Sequence, residues 1–214
     1  DIPQLDGKIH VPFGVFSPLR GEYLDLITQA PLAPNIQTAF DIGTGSGVIA
    51  AILAKRGIPD IIATDTNQKA IACATANLER LGLDKAVSIQ SIDLFPESCA
   101  DLIVCNPPWL PAKPTSTIET ALYDPNHAML TAFLNGVRHH LNPNGEAWLI
   151  ISDLAEHLHL RDKDFLNQCF QTASLNVVDI LKTKPQHKKA IDEADPLAFA
   201  RNKETTYLYR LKAI

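Results

Sequence analysis

The residues with the most specific chemistry are Asn106-Pro107-Pro108-Trp109, which follow the apolar run Leu102-Ile103-Val104-Cys105. Two prolines fix φ, restrict the residues before them and remove two N–H donors, so this turn is stiff. The Asn106 side-chain oxygen and the Pro107 carbonyl then form a pair of acceptors for the two hydrogens of one amino group. An amide or aromatic amine nitrogen is a poor nucleophile because its lone pair is delocalised. Accepting both of its hydrogens draws it toward tetrahedral geometry and frees that pair. Pro108 and Trp109 add a flat apolar surface on which a planar group can stack. A neighbouring electrophile would complete the reaction by proximity, without a metal or a strong base. The plainer alternative is a rigid turn around a buried Trp.

A second chemical segment is Asp41-Ile42-Gly43-Thr44-Gly45-Ser46-Gly47. Glycines let the backbone turn sharply and approach a ligand. A following helix presents free N–H groups and the positive end of its dipole. Dinucleotide-binding loops show G-x-G-x-x-G, with pyrophosphate at the helix end. Here the spacing is G-x-G-x-G and a carboxylate precedes it. S-adenosylmethionine has no phosphate but carries an ammonium and a sulfonium, which a carboxylate suits. Asp65, about twenty residues after the glycine loop, can accept both ribose hydroxyl hydrogens; its alternative role is to cap the next helix. Asp93 can accept from an adenine amino group while Leu94 flanks the ring; its alternative is a turn Asp.

These segments need elements to hold them. Residues 39–42, 61–64, 87–89, 101–105 and 147–152 read as strands, with two more at 177–181 and 205–211. Residues 48–56, 68–81, 126–141 and 162–173 read as helices, the second closed by Gly82 in a left-handed cap. Strands alternating with helices imply right-handed crossovers and a mostly parallel, doubly wound α/β sheet of seven strands. The last two strands have no helical pattern between them and should pair as an antiparallel hairpin. The connection at 185–202 is longer than a turn and is of the length that often carries function. Residues 1–35 read as an irregular lead-in with one short helix at 21–29, and 36–214 as the main domain. Asp1 stands where a full chain would carry Met, so the lead-in is read as the end of a longer N-terminal region.

Composition narrows the classes. With 46% hydrophobic and 20% charged residues the chain is an ordinary globular one, and a cytoplasmic protein with no membrane contact is expected. A net charge of −5 argues against binding duplex nucleic acid by charge alone. Lys182, Lys184, His187, Lys188, Lys189, Arg201 and Lys203 form a local basic stretch, interrupted by Asp192, Glu193 and Asp195. Cys73, Cys99, Cys105 and Cys169 have no metal-binding spacing and read as small reduced core residues. His157 and His159 would face different sides of a helix, so no metal is expected. Asp153 reads as a cap, and His139 and His140 as favourable charges at a helix end.

The glycine segment, Asp65, Asp93 and Asn106-Pro107-Pro108-Trp109, in this order and spacing, resemble class I methyltransferases of the "methyltransferase small" domain family. The resemblance covers residues 16–211. It implies a Rossmann-like fold and S-adenosyl-L-methionine as cofactor, held by Asp41, Gly43, Thr44, Gly45, Gly47, Asp65, Asp93, Leu94 and Asn106. Asn106, Pro107 and Trp109 would carry out transfer, and Pro108, Trp109, Phe16 and Lys188 would contact substrate. Residues 14–18 are similar to the family's segment that closes over the cofactor. The implied activity is methyl transfer to an exocyclic amino nitrogen, with a ribosomal-RNA base as the expected partner. The alternatives are a glutamine side chain of a release factor, or a cofactor-binding module without catalysis. Trp109 stands where the glutamine enzymes carry Tyr, which leans the expectation toward RNA.

Overall fold

The computed structural model describes residues 1–18, 21–111, 123–184, 200 and 202–214. Seven strands form one sheet in the order β3-β2-β1-β4-β5-β7-β6. They are β1 (Thr38–Ile42), β2 (Asp60–Asp65), β3 (Val87–Ser91), β4 (Ala100–Cys105), β5 (Leu141–Ser152), β6 (Leu175–Thr183) and β7 (Thr206–Ala213). β1 to β5 pair in parallel, and β7 runs antiparallel to both β5 and β6. The expected topology therefore holds, hairpin included.

The central strands are apolar on both faces because helices cover both. In β4, Leu102 and Val104 join the core under α1 (Glu22–Gln29), α2 (Val48–Lys55) and α3 (Gln68–Arg80). Ile103 and Cys105 point the other way, toward α4 (Ala128–Val137) and α6 (Phe165–Thr172). This period-two division is what a doubly covered strand requires. α3 starts at Asn67, whose side-chain oxygen accepts from Lys69 N–H at 3.0 Å, and Gly82 follows it with φ +68°.

Several expected elements shift. The helix expected over 126–141 begins only at Ala128, because Asn126 and His127 have φ +57° and +54°. Asp124 caps it from outside: its two oxygens accept from Met129 N–H (2.9 Å) and Leu130 N–H (3.0 Å). The helix ends at Val137, and Leu141 belongs instead to β5, paired with Ala100. β5 then bulges at residues 142–145, where Asn144 is left-handed, before resuming at Glu146 opposite Leu102. His140 lies beyond the helix and stacks on Phe95 at 4.5 Å. A short α5 (Leu154–His157) follows Asp153. Asp153 gives no side-chain cap; its Oδ1 accepts from Thr205 N–H at 2.7 Å. Cys73 and Cys105 are buried as expected, but Cys99 is exposed and Cys169 only partly buried. No helix among the described residues is long and apolar enough to cross a membrane.

At the amino ends of the central strands, opposite the glycine loop, Asp101 ties three strands. Its carboxylate accepts from Gln37 N–H (2.9 Å), Thr38 N–H (3.0 Å) and Asn142 Nδ2 (2.8 Å). Burial alone would raise its pKa, but these donors outweigh that and lower it. We expect Asp101→Ala to cost about 1–2 kcal/mol, read as a drop in urea midpoint at pH 7. A folded pKa below the unfolded value of about 3.9 means the carboxylate stabilises fully above that pH. The gap between wild type and variant should therefore narrow as pH falls below about 4.

Candidate active site at the carboxyl ends of the strands

The loops after β1, β2, β3 and β4 converge on one cavity of about 700 Å³. Gly43, Thr44, Gly45, Asp65, Asp93, Leu94, Asn106, Pro107, Pro108, Trp109 and Phe16 all line it. Most of the site residues predicted from sequence are thus brought together on one rim. Gly47 lies just behind, and Lys188 is outside the described residues.

The glycine loop is held in shape from several directions. Gly43, Gly45 and Gly47 have φ of +69°, +56° and +81°. At Gly45 a Cβ would meet open space, so this glycine leaves room in the cavity itself. At Gly47 a Cβ would come within 3.1 Å of Ala74 Cβ, so this glycine lets α2 and α3 approach. Asp65 Oδ2 accepts from Gly45 N–H at 2.9 Å, and its Oδ1 from Asn67 N–H at 2.9 Å. A carboxylate retains further lone pairs after two such bonds, enough for ribose hydroxyls. Asp93 is exposed on the cavity rim, next to Leu94, whose left-handed backbone is anchored by Thr64 Oγ1 donating to its carbonyl at 2.7 Å.

Asp41 is fully buried and does not line the cavity. Its Oδ2 accepts from Thr44 Oγ1 (2.6 Å) and Ala50 N–H (3.0 Å), which folds the loop back onto β1. Its Oδ1 is buried without a partner. Burial pushes its pKa up to about 6, against the pull of those two donors and with a further push from Asp65.

Two features were not anticipated. Asn77, on α3, is buried and bonds both the lead-in and the glycine loop. It accepts from His10 N–H (2.8 Å) and donates to the carbonyls of His10 (3.0 Å) and Ser46 (3.0 Å). The lead-in is thereby strapped to the glycine loop, and its residues 14–17 line the cavity. Tyr23 of α1 also lines the cavity, buried, with Asn106 near enough to act on its phenol. Burial first, and the Asp41 charge second, hold that phenol well above its ordinary pKa, so it stays protonated. A polar residue in an otherwise apolar helix stripe was the available signal for Tyr23; Asn77 had the same signal in α3.

Trp109 differs from the expected free stacking face. Its indole N–H donates to Asn106 Oδ1 at 2.9 Å, and its ring packs against both cores. An indole N–H is a donor only, so it fixes which end of the Asn106 amide is oxygen. One lone pair of Oδ1 remains for a substrate hydrogen.

Residues 7–180 match the model of the methyltransferase small domain. Among curated relatives, a tRNA1(Val) (adenine(37)-N6)-methyltransferase of Cytophaga hutchinsonii is 35% identical over 57% of this chain and 54% of its own length. A release factor glutamine methyltransferase of Cereibacter sphaeroides is 34% identical over 58% of this chain and 50% of its own. The chain thus spans about half the length of these relatives. A solved S-adenosylmethionine-dependent methyltransferase of Geobacter sulfurreducens, in complex with S-adenosyl-L-homocysteine, superposes with a TM-score of 0.58 at 17% identity, covering 100% of this chain and 99% of that one.

The residues fit a cationic nucleoside ligand: an open glycine cradle, a carboxylate at the end of β2, and a buried carboxylate with an unused oxygen. If the Asp41 charge helps attract the ligand, protonation must weaken binding. S-adenosylmethionine affinity should then fall as pH drops from 7 through about 6 to 5, where Asp41 takes up its proton. Calorimetric titration of wild type and Asp41→Asn across that range checks this; a wild-type curve as flat as the variant's would remove the charge role. The extent of the domain match and the shared architecture establish that the chain belongs to the methyltransferase small domain family.

Proposed function

We propose that this protein is an S-adenosylmethionine-dependent N-methyltransferase acting on the exocyclic amino group of an RNA base. The observation that carries the reading is that Asn106-Pro107-Pro108-Trp109 faces the same cavity as the glycine loop and Asp65. A nitrogen held by the first group and a nucleoside held by the second would share one space.

Bound S-adenosylmethionine supplies an electrophilic methyl group. The chain supplies the rest. Asn106 Oδ1 and the Pro107 carbonyl accept the two amino hydrogens, which localises the nitrogen lone pair. Trp109 N–H holds the Asn106 amide in the orientation this needs. Leu110, Tyr123, Met129 and Leu154 complete an apolar wall that limits water. The nitrogen sheds its extra proton after transfer, so no side chain has to act as a strong base.

RNA is favoured over protein glutamine by two features: the aromatic rings of Trp109 and Tyr123 in the cavity lining, and the basic Lys182 and Lys184 at the end of β6 on the same rim. The adenine specificity in the name of the Cytophaga relative accords with this, whereas the glutamine relatives keep the second reading open. Lys188 is proposed as a further phosphate contact.

Labelled-methyl transfer to fractionated tRNA, ribosomal RNA and protein decides the substrate class; label only in release factors would overturn the RNA reading. Asn106→Ala should lower kcat by about 10²–10³ while cofactor affinity changes little. An unchanged kcat would leave a binding module without catalysis. Trp109→Phe keeps an aromatic ring but loses the indole donor. It should lower kcat about 5-fold, the value of one neutral hydrogen bond, with KM less affected.

A further inference from the structure

A second cavity, of about 310 Å³, opens on the same rim, between the ends of β5 and β7 and the helices α5 and α6. Asp153 lines it, while the next residue, Leu154, lines the first cavity. The two linings therefore meet at consecutive residues on one rim.

The second cavity's polar groups are unevenly satisfied. Its acceptors are engaged. Both Glu156 oxygens accept from Arg161, at 2.9 Å from Nε and 2.8 Å from Nη2. Asp153 Oδ1 accepts from Thr205 N–H at 2.7 Å, and Oδ2 from the Tyr207 hydroxyl at 3.4 Å. Some of its donors are not. Arg161 is 6% exposed, yet its Nη1 has no partner among the described residues. His157 Nε2 lies 3.4 Å from Asp153 Oδ1 but makes no hydrogen bond. Lys163 is exposed, and no ion pair joins it to another described residue. A buried guanidinium hydrogen without an acceptor is costly, so the accounting asks for a ligand rich in acceptors. The two cations and two carboxylates leave the lining neutral overall, which suits a monoanion and disfavours a dianion. Tyr207 and Tyr209, with ring centroids 5.8 Å apart, form the apolar side of the space.

We infer that this cavity is the subsite for a nucleotide flanking the target base, with Lys163 and Arg161 receiving its phosphodiester oxygens beside the tyrosine rings. The inference rests on the RNA reading above. It separates the roles of the two cavities: the first selects the amino group, and the second reads the backbone next to it.

The test uses the full chain saturated with S-adenosylhomocysteine and short single-stranded, adenosine-containing oligoribonucleotides, with affinity read by fluorescence polarisation. Lys163→Glu should weaken binding about 10-fold and reduce the salt dependence by about one phosphate contact, with cofactor affinity unchanged. Tyr207→Phe, which frees Asp153 Oδ2 to repel the phosphate, should weaken binding by a smaller factor. Replacing the linkage next to the adenosine by a neutral methylphosphonate should cost wild type the same factor and cost Lys163→Glu almost nothing. If wild type methylates RNA but Lys163→Glu binds it as tightly and with the same salt slope, the subsite is wrong and the functional reading stands. If wild type binds no RNA and methylates only protein, the functional reading falls and this inference falls with it.

Discussion

The rim depends on a backbone shape that the glycine segment cannot hold by itself. All three glycines of the G-x-G-x-G segment sit at positive φ, a conformation they tolerate but do not enforce. Enforcement comes from side chains elsewhere. Asp41 pulls Thr44 and the start of α2 onto β1, Asp65 takes the Gly45 N–H from β2, and Asn77 takes the Ser46 carbonyl from α3. Three elements thus converge on four residues. Unsatisfied backbone groups in a buried loop are expensive, so these bonds define the loop as much as its glycines do. The cost is visible in Asp41, a carboxylate with no solvent and one oxygen unused. Strain kept at one position while its neighbours are over-determined is how ligand sites are commonly built.

The same logic runs through the proline turn. Asn106 is useful only if its amide oxygen faces the cavity, and an Asn amide can rotate by half a turn at little cost. Trp109 supplies a donor that accepts nothing in return, so the wrong orientation would place two donors against each other. The aromatic residue at this place thereby does two jobs, orienting an acceptor and walling the cavity. A Tyr there would have a hydroxyl at a different reach, able to donate or accept, and would orient Asn106 less strictly. The prolines contribute by what they lack, since no N–H of theirs competes for the acceptors proposed for the substrate.

Much of this was legible in the sequence because it is local. The strand-glycine-helix unit, the strand-end Asp65 and the proline turn each lie within a few residues, where periodicity and turn chemistry speak directly. The mostly parallel sheet followed because strands alternating with helices call for crossovers, and those are right-handed. What stayed hidden is of longer range or against local preference. Asn77 and Tyr23 act on residues 31 and 83 positions away, and nothing in an amphipathic stripe says which polar member turns inward. The helix at Ala128 starts late because Asp124 reaches across two left-handed residues to cap it, a non-glycine conformation that sequence patterns rarely announce. Leu141 looked helical because apolar spacing cannot tell the last turn of a helix from the first residue of a buried strand. Cys99 looked like core because Cys usually is.

The reversed strand β7 changes what the rim can do. If it ran with its neighbours, its amino end would lie at the far edge of the sheet. Instead Thr206 sits opposite Ser152 and Thr183, so β7 begins where β5 and β6 end. The junction is locked by consecutive residues on each side: Ser152 Oγ donates to Glu204 at 2.7 Å, and Asp153 both donates its N–H to the Thr205 carbonyl (3.1 Å) and accepts from Thr205 N–H (2.7 Å). That lock fixes Tyr207 and Tyr209 beside the second cavity, on the face of the sheet that α6 covers. β6 itself runs in the direction of β1 to β5, so its end brings Lys182 and Lys184 to the same rim, more than seventy residues from Asn106 in sequence. The C-terminal pair of strands therefore adds aromatic and basic side chains to a rim whose other strands supply mainly glycines, carboxylates and a proline turn. That is the complement a nucleic acid needs and a small amine does not.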